Sequence, residues 1–151
     1  MKEEITIATA TRDERDWAAK LMSGSEPWLT LSINLEQCKK TCLDPEYILF
    51  VAHVEDFPAG MILLDSRGVA GSPYVKSIAV AETYRGHGIG EELMKFSEDF
   101  FRKEAKHMFL CVSSFNKKAQ LFYERQGYKK VGEFKDYVIE GADEILMHKR
   151  L

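Results

Sequence analysis

Apolar positions change their period several times along this 151-residue chain, and each change marks an element. "ITIATAT" alternates as a half-buried strand does. "RDERDWAAKLM", preceded by Thr11, carries Trp17, Leu21 and the alanines between them on one helical stripe. After the turn-rich "SGSEP", the segment "LTLSINLEQCKKTCL" keeps Leu31, Leu35, Cys38 and Cys42 at the three-to-four spacing of a second helix, closed by Pro45. "YILFVAHV" and "AGMILLDS", joined by "EDFPAG", predict two antiparallel strands, and "YVKSIAV" predicts a third.

A glycine-rich turn then leads into "IGEELMKFSEDFFRKEAK", where Ile89, Leu93, Phe96 and Phe100 recur at steps of four, three and four and predict a helix. "HMFLCVS" reads as a buried strand. "NKKAQLFYERQG" reads as a short helix ended by Gly127, and "YKKVGEFKDYVIEGADEILMHKRL" as a terminal hairpin turning near "EGAD". The order β-α-α-β-β-β-α-β-α-β-β shows no internal repeat or linker. It predicts one α+β domain over residues 1–151, with about seven strands in a mixed, mostly antiparallel sheet and about four helices.

Composition narrows the function classes. The chain is 45% hydrophobic and 30% charged, with a formal net charge of −3 and both signs mixed, so nothing advertises nucleic acid or an anionic membrane as partner. Three cysteines (Cys38, Cys42, Cys111) and four scattered histidines indicate neither a disulfide framework nor a metal site. The acidic, alternating start "MKEEITIATATRDERDW" is unlike a signal peptide, and no run approaches the roughly 18 apolar residues of a membrane span. A cytoplasmic protein, monomer or homodimer, is the expectation.

The chemistry concentrates in "YRGHGIGEEL". Glycines between a strand and a helix let the backbone approach an anion, and the helix N-terminus offers amides and a positive dipole end to it. Gly86, Gly88 and Gly90 are evenly spaced, which fails the dinucleotide pattern because Glu91 and Leu93 stand where a third glycine is required; no Gly-Lys-Ser/Thr follows either. Arg85-x-x-Gly88-x-Gly90 remains, with a guanidinium able to grip phosphate oxygens. A pyrophosphate cradle and a plain sharp turn both fit these residues taken alone.

The surrounding segment "YVKSIAVAETYRGHGIGEELMKF" resembles the central motif of the GNAT superfamily of acetyl-CoA-dependent N-acetyltransferases, Arg/Gln-x-x-Gly-x-Gly/Ala between strand and helix. About 25 residues on, "FLCVSSFNKKAQLFYERQGYKKVG" is similar to the same superfamily's Asn-x-x-Ala-x-x-Leu/Phe-Tyr helix and the Gly-Phe/Tyr strand start after it, on Asn116, Ala119, Phe122, Tyr123, Gly127 and Tyr128. The two motifs cover roughly half the chain, and the likeness extends to the ribosomal-protein alanine N-acetyltransferase branch.

That resemblance implies a GNAT fold, acetyl-CoA as acetyl donor and a primary amine as acceptor: a protein N-terminus, a lysine or a small molecule. It implies that Ile78, Ala79 and Val80 pair with the pantetheine arm and that the Val80 amide reaches the thioester carbonyl. The amides of Arg85, Gly86, His87, Gly88, Ile89, Gly90 and Glu91 would cradle the pyrophosphate, with Asn116, Ala119 and Phe122 beside the cofactor. Asn116 also suits a helix cap. Tyr123 would protonate the departing thiolate, its alternative role being a core aromatic. The branch has a glutamate base where this chain has Cys111, which leaves Asp65, Glu26 and Glu144 as base candidates. Trp28 and Tyr137 match acceptor-side aromatics. Without a catalytic base the domain would serve as a non-catalytic acetyl-CoA-binding or sensing module.

Overall fold

The computed structural model describes residues 4–151, so Met1, Lys2 and Glu3 of the expected domain lie outside the described residues. Strand β1 (Ile5–Thr9) leads to helix α1 (Arg12–Ser23), helix α2 (Leu35–Cys42) and strands β2 (Ile48–Val54), β3 (Phe57–Val69) and β4 (Ser72–Val80). A 3₁₀ turn at Glu82–Tyr84 precedes α3 (Ile89–Phe101), β5 (His107–Ser113), α4 (Lys117–Arg125), β6 (Lys129–Ile139) and β7 (Ala142–Arg150). The element order matches the sequence expectation. One seven-stranded sheet runs β1-β2-β3-β4-β5-β7-β6, antiparallel throughout except for the β4–β5 pair.

Both faces of the sheet are covered, which explains why β2 and β3 read as nearly continuous apolar runs. Leu49, Met61 and Leu63 point to a layer built with Ala18, Ala19 and Met22 of α1 and Cys38 and Cys42 of α2. Their neighbours Phe50, Ile62 and Leu64 point to the other face, where Ile89, Leu93 and Met94 of α3 and Tyr123 of α4 pack.

Three local readings are corrected. Helix α2 begins at Leu35, because Asn34 caps it in a reciprocal box with Gln37; Leu31 is buried from a preceding run of turns in which Ser32 takes φ 57°. The β3 and β4 strands run on to a tight hairpin at Ala70 and Gly71. On α3 the core face is Ile89, Leu93, Met94, Ser97, Glu98 and Phe101. Phe96 (36% exposed) and Phe100 (52%) instead lie at its margin, edge-on to Phe50. The alternation of four and three that predicts the helix therefore begins on the buried face, at Ile89 and Leu93, and drifts to its rim at Phe96 and Phe100.

Helix α3 approaches the sheet most closely at Gly60 of β3. A Cβ there would stand 2.9 Å from Ile89 Cγ2, 3.2 Å from Leu93 Cδ1 and 3.2 Å from the Ala79 carbonyl oxygen. Gly60→Ala is expected to lower unfolding stability by about 1–3 kcal/mol, the usual cost of overpacking, as read from the urea midpoint at unchanged m-value.

Candidate active site

A bulge in β4 shapes the site. Leu63 and Leu64 of β3 oppose Ser77 and Val75, so Lys76 has no partner on β3, and its ammonium lies over the Tyr47 ring at 5.0 Å. Such an extra residue bends and twists a strand. The parallel pairing with β5 stops there, at Tyr74–Phe109 and Val75–Leu110. Beyond it, Ser77 to Val80 pair with β3 alone. The end of β5 is held on its far side: the Ser113 carbonyl accepts from the Asn116 amide and from Gln120 Nε2, and the Ser114 amide donates to Asp143 O.

Between the parted strands lies a cleft of about 1050 Å³, lined by Ile78, Ala79 and Val80 on one side and Val112, Ser113 and Asn116 on the other. The Ala81 amide donates to Ala59 O of β3 at 2.8 Å. Successive residues of a strand alternate their bonding direction, so the N–H and C=O groups of Ile78 and Val80 face the cleft. The Arg85 Nε bond to Val80 O, at 3.1 Å, shows that carbonyl on the open edge.

Past Val80 the chain makes the 3₁₀ turn and enters α3 through Gly86 (φ 83°) and Gly88 (φ 79°), both left-handed. Gly88 is the N-cap and offers no side-chain acceptor, so the first-turn amides of α3 point outward uncapped. They border a second hollow of about 260 Å³, shared with Arg85 and Arg125. The first and second glycines serve conformation; the third serves packing, since a Cβ on Gly90 would stand 3.3 Å from Phe122 Cζ of α4. Open amides, a helix N-terminus and two guanidinium side chains fit a pyrophosphate. The His87 ring lies edge-on to Tyr84, 6.5 Å away.

On α4, Asn116 is the N-cap, its side-chain oxygen accepting from the Ala119 amide, and it also lines the cleft. Tyr123 is buried, and burial pushes its phenol up, which keeps the proton on. Among the described residues its hydroxyl meets no hydrogen-bond partner and no buried side-chain oxygen lacks one, so the hydroxyl opens to the cleft it lines.

Glu144 of β7 lines the same cleft opposite Ser113 in the strand register; Ser113 Oγ donates to its carboxylate at 2.7 Å. Burial pushes this carboxyl up, and the Ser113 bond pulls it partly back. Asp65 borders the cleft but accepts from the Arg67 amide at 3.1 Å. Glu26 is exposed and accepts from the Thr30 amide and hydroxyl, which hold it below the usual carboxylate range. The surroundings thus make Glu144 more basic and Glu26 less so.

Trp28 is buried against the α1–α2 layer and reaches the cleft wall, while Tyr137 is exposed at its rim beside Phe134, ring centroids 5.2 Å apart. The β6–β7 hairpin carrying Tyr137 is pinned by Gly141 N–H donating to Asp136 Oδ1 at 2.7 Å. Sequence reasoning missed Tyr74, Ser113, Lys118, Arg125 and Phe134, all on the cleft wall. Tyr74 and Cys111 face each other across the cleft wall, and burial pushes both up, the thiol thereby kept in its neutral form. The bulge hides Tyr74 from any simple alternation. Arg125, two turns beyond Lys118, was open to detection as a basic stripe on α4.

A parted parallel strand pair with open helix amides beside it offers a free strand edge to an extended ligand and an anion site next to it. The family model described as Acetyltransferase (GNAT) family matches residues 11–128, and the chain belongs to that family, whose acetyl donor is acetyl-CoA. An uncharacterized N-acetyltransferase of Methanocaldococcus jannaschii is 33% identical over 103 residues, 67% of this chain and 65% of its own length. An N-alpha-acetyltransferase of Saccharolobus solfataricus is 36% identical over 80 residues, 52% of this chain and 48% of its own. The chain thus spans about half to two thirds of these relatives. The ribosomal-protein-S18-alanine N-acetyltransferase of Escherichia coli shares the fold, with a TM-score of 0.76 at 17% identity over 97% of this chain and 94% of that one.

The raised Glu144 carboxyl gives a signed stability prediction. A carboxyl whose folded pKa exceeds its unfolded one contributes stability that is full below the unfolded pKa and lost as pH rises through the folded one. Glu144→Gln, neutral throughout, is expected to raise the melting temperature relative to wild type at pH 7 to 8 and to lose that advantage near pH 4. Thermal melts of both proteins across that range check it.

Proposed function

We propose that this protein moves the acetyl group of acetyl-CoA to a primary amine by direct attack in a ternary complex, with Tyr123 as general acid and Glu144 as general base. One observation carries the assignment: a buried, proton-retaining Tyr123 hydroxyl opens to the same cleft as a carboxylate whose surroundings raise its basicity.

The donor supplies an activated thioester. The free edge at Ile78 and Val80 would hold its pantetheine amides as a neighbouring strand would, and the Val80 amide would meet the thioester oxygen where negative charge grows. The uncapped amides of α3, with Arg85 and Arg125, would neutralise the pyrophosphate. As the amine nitrogen bonds to the acetyl carbon, Glu144 takes the nitrogen's proton, directly or through one water. As the carbon–sulfur bond breaks and its electron pair goes to sulfur, Tyr123 gives the sulfur its proton. Exchange with water resets both side chains, and no metal or acyl-enzyme is required.

Deprotonating the acceptor favours an α-amine. A lysine ammonium with pKa about 10.4 costs roughly 4.6 kcal/mol to deprotonate at pH 7, whereas an α-amine near 8 costs about 1.4. A base half-open to solvent is suited to the smaller task, and a relative named N-alpha-acetyltransferase supports an N-terminal acceptor. Trp28 and Tyr137 would line its approach.

Tyr123→Phe is expected to leave the Kd for acetyl-CoA unchanged and lower kcat about 10²-fold or more, the low end for loss of a general acid. Glu144→Gln is expected to abolish the acidic limb of the kcat/KM profile, which in wild type rises with pH through a group above the ordinary carboxylate range. A panel of N-terminal peptides and small amines, followed by release of free thiol, reads both. Binding of acetyl-CoA without turnover on any acceptor would return the protein to the sensing alternative.

A further inference from the structure

Glu98 lies on the buried face of α3, 5% exposed, where an apolar side chain would satisfy packing alone. Its carboxylate accepts from the Tyr128 hydroxyl at 2.8 Å and from Lys149 Nζ at 2.9 Å. Three elements meet at this one group: the cradle helix α3, the junction of α4 with β6, and β7, which carries Glu144.

The Tyr128 end of the network leads straight to Tyr123. The Tyr128 amide donates to Tyr123 O at 3.0 Å, and the two rings meet edge-on at 6.3 Å. Gly127 lies between α4 and Tyr128 at φ 96°, and a Cβ there would stand 3.4 Å from Lys149 Cε, so its bare backbone leaves room for the lysine stem on its way to Glu98. At the opposite end of the contact, Phe122 sits on Gly90. Helix α4 is thereby fastened to α3 at two points: an apolar contact beside the cradle and a charged, directional one behind Tyr123.

We propose that Glu98, with Tyr128 and Lys149, is a positioning group that sets the Tyr123 hydroxyl relative to the anion cradle. The inference rests on the acid role of Tyr123 stated above. Hydrogen bonds to an ionised, buried acceptor are short, strong and angularly demanding, so they fix a rotation that packing against flat aromatic faces leaves loose. Misplacement of an acid by a fraction of an ångström lowers rate without touching donor binding.

Tyr128→Phe removes one oxygen and leaves Glu98 paired with Lys149, and Glu98→Gln removes the charge at constant shape. Each is made alone and combined with Tyr123→Phe, and acetyl-CoA affinity, kcat and melting temperature are measured. The ¹⁹F signal of 3-fluorotyrosine replacing Tyr123 is recorded for the two single variants against wild type. The expected result is a Kd for acetyl-CoA within about twofold, a kcat lowered roughly tenfold, and no further loss when Tyr123 is already Phe. The ¹⁹F resonance should shift or split. A loss of equal size in the Tyr123→Phe background, or a ¹⁹F resonance unchanged in both variants, overturns the proposal. A wild-type protein that never turns over, with a ¹⁹F resonance that still responds to Glu98, would refute the acid role and leave the positioning in place.

Discussion

The unpaired residue Lys76 ends the contact between β4 and β5, and the rest of the site depends on that parting. A regular β4 would go on pairing with β5 through Val80, and every backbone group now facing the cleft would be satisfied inside the sheet. The bulge instead bends β4 after Val75, while β5 finishes its bonding toward α4 and β7. What results is a strand edge in the middle of a sheet. Edges are usually a hazard, because their amides and carbonyls seek partners indiscriminately. Here the edge lies inside a cleft, between Ile78 to Val80 and Val112 to Asn116, instead of along an open side of the sheet.

The same pattern of withheld satisfaction recurs nearby. Gly88 caps α3 without a side-chain acceptor, whereas the caps of α1 and α2 are full reciprocal boxes at Thr11–Glu14 and Asn34–Gln37. Those two helices are closed at their N-termini, whereas α3, beside the hollow shared with Arg85 and Arg125, is left open. Glu144 belongs to the same pattern, a carboxyl kept in surroundings that oppose its charge. Local strain or cost of this kind gathers at functional sites and is tolerated because two apolar layers on the sheet supply stability elsewhere.

Much of this was legible in the sequence, for identifiable reasons. Element order followed from changes of hydrophobic period, and the family from the Arg85-x-x-Gly88-x-Gly90 turn, ambiguous by itself, taken together with the downstream Asn116 to Tyr128 motif. The bulge was not legible, since one extra residue in "YVKSIAV" leaves a pattern as apolar as before. Helix α3 shows a second limit: Phe96 and Phe100 lie at the margin, while Glu98 between them is buried, with partners Tyr128 and Lys149 30 and 51 residues away. A charge reads as surface until the residues that satisfy it are known. Glu144 and Ser113 present the same difficulty, because strand register alone brings them together.

Burial acts in one direction on both groups assigned to proton transfer, yet it suits them to opposite tasks. Tyr123 starts near 10 and is pushed further up, so it carries its proton throughout the working range and can only give it. Glu144 starts near 4.5, and the same desolvation lifts its affinity for a proton, while the Ser113 hydroxyl, bonded to the carboxylate, opposes that rise. Burial makes this carboxylate a stronger base than one left in water, and the Ser113 bond moderates that rise. The single hydroxyl on β5 thus sets how far burial goes. Cys111, two residues earlier on the same strand, has such a partner in Tyr74, yet burial outweighs it and the thiol stays on the neutral side.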